Sequence, residues 1–389
     1  MSIASFKSAH RLITGQQASS RLSEEILRLG MRCPMVVTDP GVLGSGTLKP
    51  ITDQLDVLKA NGQLTHYRIF SEVSAEPEVH IVEDCMSVYL EAQCDGLIAL
   101  GGGSAMDIAK CVAVYATHDG DLESLFGEDK ARVRGAPLIA MPTTAGTGSE
   151  VTNIGILSDT EARMKKGIVN DYLLPDVAIV APELTVSCPR HVTAASGVDA
   201  LVHAIEAYLS NFATPITDAL AIKAMRLIIK ALPKAYANPG NLEAREAMAT
   251  GSLLAGMAFG NAGVGAVHAL AYPLGGRYHL PHGVTNALLL PHVMRWNALA
   301  CVERFRDIAE ALDTTHHALK DEAAAELVVE RLHQLCRDVD IPSGLRHFDI
   351  SEKDIPSLAA DAVKVERLLR NNPRQLTQHD IECIYRAAW

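Results

Sequence analysis

Asp95-Gly96-Leu97-Ile98-Ala99-Leu100-Gly101-Gly102-Gly103-Ser104-Ala105-Met106-Asp107 is the stretch on which the fold turns. Its first half is a short apolar run, the pattern of a strand buried on both faces. It runs straight into three glycines and a serine, and a helix is expected to begin near Ser104. Glycines let a backbone come close to a pyrophosphate. The unpaired N–H groups of a first helical turn, together with the helix dipole, then attract its negative charge. A tight strand-to-helix turn with a Ser cap would need no ligand, yet three consecutive glycines exceed what a cap requires.

Working outward, Pro34-Met35-Val36-Val37-Thr38 reads as a strand ending at Asp39-Pro40-Gly41. Apolar residues recur at helical spacing over 51–60 and 79–92, and 66–70 reads as a strand. Downstream, 136–141 is a strand that ends at Pro142-Thr143-Thr144, and 176–180 is another. Strands alternating with helices predict a Rossmann-like, doubly wound and mainly parallel sheet. A second polar loop, Thr143-Thr144-Ala145-Gly146-Thr147-Gly148-Ser149-Glu150, should emerge at the same carboxyl edge, where open α/β sheets bind ligands. Asp39 is placed either to accept hydrogen bonds from ribose hydroxyls and repel a 2′-phosphate, favouring NAD over NADP, or simply to open an Asp-Pro-Gly turn. The nearby glycines Gly41, Gly44 and Gly46 reverse the order of the dinucleotide fingerprint and read as a loop.

From about residue 189 the pattern changes. Helical periods dominate at 195–209, 218–232, 242–259, 265–274, 299–312 and 322–339, with Gly and Pro at the joins. The expectation is an α/β domain over 1–188, which carries the candidate NAD-binding loops, and an all-helical domain over 189–389. A chain of 389 residues is long enough for two such domains. The net charge of −11 argues against a nucleic-acid or anionic-membrane surface. The eight cysteines form no C-x-x-C and no zinc-finger spacing, so they read as thiols of a reducing compartment. The N-terminal residues carry no apolar secretory run, and a cytoplasmic protein is expected.

Asp199 and His203 stand four apart, which on a helix puts both on one face where they can share a cation. His268 lies in a second helical segment, and His282 follows it in Leu280-Pro281-His282-Gly283, read as a loop. Three imidazoles and a carboxylate suit Fe2+, Zn2+ or a similar first-row ion that polarises a substrate oxygen. Spacing alone leaves each open to a blander role as a hydrogen-bonded core residue. Glu206, Glu150 and His279 read as structural or surface groups.

At these residues the sequence resembles the iron-containing (group III) alcohol dehydrogenase family. The likeness rests on Gly101-Gly102-Gly103-Ser104 with Asp107, on Pro142-Thr143-Thr144-Ala145-Gly146-Thr147, on Gly197-Val198-Asp199-Ala200 with His203, and on the block from Val267 to Pro291. The resemblance implies an N-terminal dinucleotide-binding domain, a C-terminal helical bundle, a site in the cleft between them, and a homodimer or larger homo-oligomer. It implies Asp199, His203, His268 and His282 as metal ligands. For NAD it implies Gly102, Gly103, Ser104 and Asp107 at the pyrophosphate and nicotinamide, Thr143, Thr144, Thr147 and Ser149 along the cofactor, Lys165 near the adenosine ribose, and an acid at Asp39. The implied reaction is hydride exchange between NAD and a small alcohol, its aldehyde or ketone.

Two departures bear on the substrate. Most alcohol-oxidising members carry a second His four residues after the third ligand, where this chain has Tyr272. Tyr272 is expected in the proton path, although a phenol with a pKa near 10 is a poor base at neutral pH. A few members acting on hydroxy acids are similar in having Tyr there. The usual Asn of an early loop is replaced by Glu76. The alternative reading is therefore a hydroxyacid dehydrogenase or hydroxyacid–oxoacid transhydrogenase, for which Arg277 would offer a carboxylate-binding cation. A metal-dependent lyase and a non-enzymatic binding subunit are remoter rivals.

Overall fold

Apolar runs with small or β-branched residues become strands, and the amphipathic periods between them become the helices that cover both faces of the sheet. The computed structural model describes residues 3–160, 164–313 and 320–389. In chain order the first half contains β1 (Arg11–Thr14), α1 (Leu22–Arg28), β2 (Pro34–Val37), α2 (Pro40–Ser45), α3 (Lys49–Ala60), β3 (Arg68–Phe70), α4 (Val79–Glu91), β4 (Gly96–Gly101), α5 (Gly103–Tyr115), β5 (Gly127–Glu128), β6 (Leu138–Pro142), β7 (Ile154–Asp159), β8 (Met164–Val169) and β9 (Val177–Val180). Then come α6 (Arg190–Leu209), α7 (Pro215–Ala237), α8 (Leu242–Ala262), α9 (Ala266–Tyr278), α10 (His282–Asn297), α11 (Val302–Leu312), α12 (Asp321–Asp338), α13 (Ile355–Ala362), α14 (Glu366–Leu369) and α15 (Gln378–Ala388). The described residues fall into two compact units, one gathering Lys7–Thr144 with Gly148–Cys188 and the other Ala145–Thr147 with Pro189–Trp389. Among the described residues no single helix is long and apolar enough to cross a membrane.

The first unit carries a six-stranded sheet in the order β1-β9-β6-β4-β2-β3, with every pairing parallel. Alternate residues of each central strand enter opposite cores. Met35, Val37, Leu97, Ala99, Leu138 and Ala140 pack with α4 and α5, while Val36, Ile98, Leu100, Ile139 and Met141 pack with α1 and α3. This is the doubly wound arrangement that continuous apolar strands require. Register sets the functional edge: Gly101 pairs Pro142 and Val37 pairs Ala99, so β2, β4 and β6 end side by side.

A second sheet, β5-β8-β7, contains the antiparallel hairpin β7–β8, which the sequence pattern did not disclose. Nor did it disclose β1. The stretch expected as a loop after Asp39 is helix α2, opened by the Asp39 side chain accepting from the Val42 N–H at 3.0 Å.

A fully buried lysine ties β7 and the turn before it to α5. Lys110 Nζ donates to Ser149 Oγ (2.6 Å), Thr152 Oγ1 (3.1 Å) and the Ile154 carbonyl (3.0 Å). Ser149 Oγ in turn donates to Asp107 Oδ1 at 2.6 Å, and the Ile156 N–H reaches Asp107 Oδ2 at 2.9 Å. Burial draws the Lys110 pKa below its usual range, against the pull of Asp107 and Glu150.

Helices α6, α7 and α8 form the heart of the second unit. Gly197 in α6 permits their close approach, because a Cβ there would stand 2.3 Å from Leu232 Cδ1 and 3.0 Å from Met248 Cε.

Glu150, beside the lysine network, is buried, and burial pushes its pKa from 4.5 to about 7 with Lys110 opposing. The folded chain therefore holds this proton more tightly than the unfolded chain, so stability declines as pH rises from about 4.5 to about 7. Relative to the parent, Glu150→Gln should melt at the same temperature near about pH 4 and progressively higher up to about pH 8 in scanning calorimetry. A difference that does not change with pH would contradict this account.

Candidate active site

Asp199 and His203 lie one turn apart on α6, as their spacing requires, and both are buried. His268 comes from the first turn of α9. His282 is not in a loop, as its Pro-His-Gly setting implied, but is the first residue of α10, with Pro281 as the N-cap. Gly283 allows that approach: a Cβ on it would lie 2.4 Å from the Ala195 carbonyl oxygen of α6. Ligand atoms of Asp199, His268 and His282 all lie within 4.8 Å of one another, and His203 adjoins two of them. His203 Nε2 and His268 Nε2 are 3.0 Å apart, Asp199 Oδ1 is 3.7 Å from His268 Nε2 and 4.0 Å from His282 Nε2, and Asp199 Oδ2 is 4.0 Å from His203 Nε2. Ligands at tetrahedral angles around an ion about 2.1 Å away stand about 3.4 Å from one another.

The hydrogen count points to a cation. His203 Nδ1 lies 3.2 Å from the Gly146 carbonyl, which can only accept, so Nδ1 carries the proton and Nε2 presents a lone pair. His268 Nδ1 donates to Glu206 Oε2 at 2.6 Å, which turns its Nε2 lone pair inward as well. Asn286, one turn along α10 from His282, sets its amide nitrogen 2.6 Å from Asp199 Oδ1 and 3.1 Å from both His268 Nε2 and His282 Nε2. That amide has two hydrogens for three acceptors. Its own Oδ1 is buried without a protein partner.

Electrostatics follow the same logic. Burial drives His203 down to about 3, with Asp199 opposing and the two neighbouring histidines adding to the shift. Burial also works against the charged form of His268, but Glu206 and Asp199 outweigh it and hold the pKa above the ordinary histidine value. Asp199 is pushed up by burial and pulled further down by the facing imidazoles and Asn286, so it stays ionised. Glu206 and Asp199 thus favour positive charge at His268. A divalent ion, which suits a set of three imidazoles and one carboxylate, fits the same place.

The glycine turn lies in the first unit. Helix α5 begins at Gly103 with no side-chain cap, leaving its first-turn N–H groups to another partner. The Thr143 N–H donates to the Gly101 carbonyl at 2.9 Å, and Thr144 stands beside Gly102, so the two polar loops emerge together. Asp39 ends β2 on the same edge. Its Oδ1 caps α2, and its Oδ2 faces Gly101. Other expected cofactor contacts have partners within the protein. Asp107 and Ser149 spend their side chains on the Lys110 network, Ser104 Oγ donates to the Ala75 carbonyl at 2.6 Å, and Lys165 pairs with Glu76 while donating to Ser158 Oγ at 2.7 Å. Thr147 groups with the helical unit.

Family models match along nearly the whole chain, "Iron-containing alcohol dehydrogenase" over residues 9–182 and "Fe-containing alcohol dehydrogenase family, C-terminal" over 193–389. The chain belongs to the iron-containing alcohol dehydrogenase family. It is 45% identical to long-chain-alcohol dehydrogenase 1 of Geobacillus thermodenitrificans (strain NG80-2), over 96% of this chain and 94% of the relative. A crystal structure of 1,3-propanediol oxidoreductase superposes with a TM-score of 0.95 at 40% identity, covering all of both chains. Sulfoacetaldehyde reductase from Bifidobacterium kashiwanohense, solved in complex with NAD+, superposes with a TM-score of 0.88 at 31% identity, covering 100% of this chain and 99% of the other. Membership makes the chain an oxidoreductase acting on CH–OH groups, with a parallel-sheet N-terminal domain and a helical C-terminal domain.

Within this iron-containing family member, Tyr272 sits on α9 with its ring 6.5 Å from that of His282. Arg277, weighed as a carboxylate-binding cation, is engaged by Asp361 and by Ser357 Oγ (2.6 Å) and carbonyl (3.1 Å). Sequence reasoning set Glu206 aside as a structural or surface group and did not weigh Asn286. A signal existed for both: Glu206 is three residues after His203 on the face of α6 that carries the ligands, and Asn286 is four after His282.

Gly283→Ala should force α10 away from Ala195 and carry His282 with it. Overpacking of this kind costs about 1–3 kcal/mol; if displacement of His282 absorbs it, zinc affinity should fall about tenfold or more, as read by competition of the variant with a chelator for zinc, and unaltered affinity would mean that α10 has slack here.

Proposed function

We propose that the chain is an NAD-dependent, divalent-metal-dependent alcohol dehydrogenase that interconverts a small alcohol and its aldehyde or ketone. The reading rests on one observation: ligand atoms of Asp199, His268 and His282 all lie within 4.8 Å of one another, with His203 Nε2 3.0 Å from His268 Nε2. Those four would hold Fe2+, or Zn2+ in its place. Such an ion supplies Lewis-acid polarisation of a substrate oxygen.

The chain's own residues do the rest. Gly102, Gly103 and the uncapped start of α5 offer backbone donors and dipole to the NAD pyrophosphate. Thr143, Thr144 and Thr147, with the Ser104 backbone and Lys165, complete the cofactor contacts, and Asp39 favours NAD over NADP. Asp107 and Ser149 act one layer deeper, by fixing the loop that follows Thr147 to α5. Tyr272 passes the alcohol proton outward through its phenol. The eight free thiols support a reducing, cytoplasmic setting. Arg277, being engaged, gives no support to the hydroxyacid reading.

The test is a substrate panel on protein reconstituted separately with Fe2+ and Zn2+, comparing primary alcohols with a 4-hydroxy acid and NAD with NADP. Preference for alcohols with NAD is expected; preference for the hydroxy acid would overturn the reading. His268→Ala should lose metal and turnover together while NAD still binds, and full activity in that variant without metal would end the proposal. Tyr272→Phe should lower kcat about 10- to 100-fold with KM little changed, as steady-state kinetics would reveal; an unaltered kcat removes Tyr272 from the proton path.

A further inference from the structure

The metal reading above leaves one buried carboxylate without a role. Glu206 sits on α6 and is only 3% exposed. Each of its oxygens takes one hydrogen from α9: Oε1 accepts from the Val267 N–H and Oε2 from His268 Nδ1, both at 2.6 Å. Helix α9 starts at Gly265 with no side-chain cap of its own, so the cap is supplied across the fold by Glu206. The positive end of the α9 dipole faces the carboxylate.

We propose that Glu206 is the positioning residue that sets the tautomer of His268, and thereby the affinity of the four-residue site for its ion; the inference rests on the proposed metal function. An ionised carboxylate only accepts hydrogen bonds. Held 2.6 Å from Nδ1, it requires the proton to be there and leaves the Nε2 lone pair directed at Asp199 and His203. The pull on Nδ1–H also makes Nε2 a better donor to a cation, as carboxylate–histidine pairs do around metals. His203 reaches the same end by a weaker device, the Gly146 carbonyl at 3.2 Å. Glu206 also joins two tasks, because the oxygen pair that orders the first turn of α9 is the one that aims His268.

Glu206→Gln separates them. The amide oxygen can still accept from Val267, but the amide nitrogen then donates to His268 Nδ1. That requires a lone pair on Nδ1 and sends the proton to Nε2, where the ion should bind. The cap survives and the ligand is lost.

The experiment titrates metal-free parent, Glu206→Gln and Glu206→Asp with Zn2+ against a chelator and with Co2+, whose visible bands report ligand geometry. Melting temperatures of the metal-free proteins serve as the control for folding. Glu206→Gln should bind Zn2+ about 10- to 100-fold more weakly than the parent, with altered Co2+ bands and a nearly unchanged melting temperature. Glu206→Asp, which keeps the charge, should recover part of the loss. Affinity of Glu206→Gln within twofold of the parent overturns the inference. Parent protein that binds neither ion overturns the metal function itself, a separate outcome. Should Glu206→Gln fail to fold, nitrogen NMR of histidine-labelled, Zn2+-loaded parent decides: a proton on His268 Nδ1 supports the inference, and a proton on Nε2 overturns it.

Discussion

Lone pairs crowded into a dry space are the constraint from which the helical unit follows. Asp199, His203 and His268 bring their acceptors together where water does not screen them, with the more open His282 beside them. Left alone, such groups repel. They stay together because their helices cannot move apart: Gly197 lets α6 sink between α7 and α8, and Gly283 presses the start of α10 against α6. Asn372, far along the chain, accepts from the Ala266 N–H at 3.3 Å and pairs with Asn297, holding the entry to α9 from the other side. His203 also stacks on Phe259, with ring centroids 4.2 Å apart.

The first unit solves a different problem. Its turns must stay open to a ligand yet keep their shape, and it does this by moving polar structure beneath the surface. Lys110 satisfies all three of its hydrogens on one strand and the turn before it, and Asp107 takes the remaining donors. A buried charge of this kind tolerates no loss of a partner, since an unpaired ion in the interior costs several kcal/mol. The exposed face keeps backbone groups at the start of α5, which carry no such cost.

Much of this was legible in the sequence because the signals are local. The Asp199–His203 pair obeys the period of one helix, and the Gly101–Gly103 turn follows one strand. Where the reading failed, the cause was context. Pro281-His282-Gly283 has the composition of a turn, yet Pro is also a good helix starter, and the glycine is demanded by Ala195, a partner 88 positions away in sequence. Strand β1 is short and mostly exposed, and β8 carries two lysines, so neither shows the alternation by which strands are recognised. Glu206 read only as a structural or surface group because its partners, Val267 and His268, come from another helix. Asp107 and Ser149 were expected along the cofactor, and no sequence pattern reports that their side chains meet Lys110 beneath the turn.

The four ligands differ in how far they reach solvent. The side chains of Asp199, His203 and His268 are 2%, 6% and 4% exposed, whereas that of His282 is 37% exposed. Three arms therefore make a fixed nest, and the fourth is a door on the first turn of a helix. If an ion is held there, solvent reaches it on the His282 side, so the buried groups would govern how tightly it is held and the open imidazole how readily it exchanges.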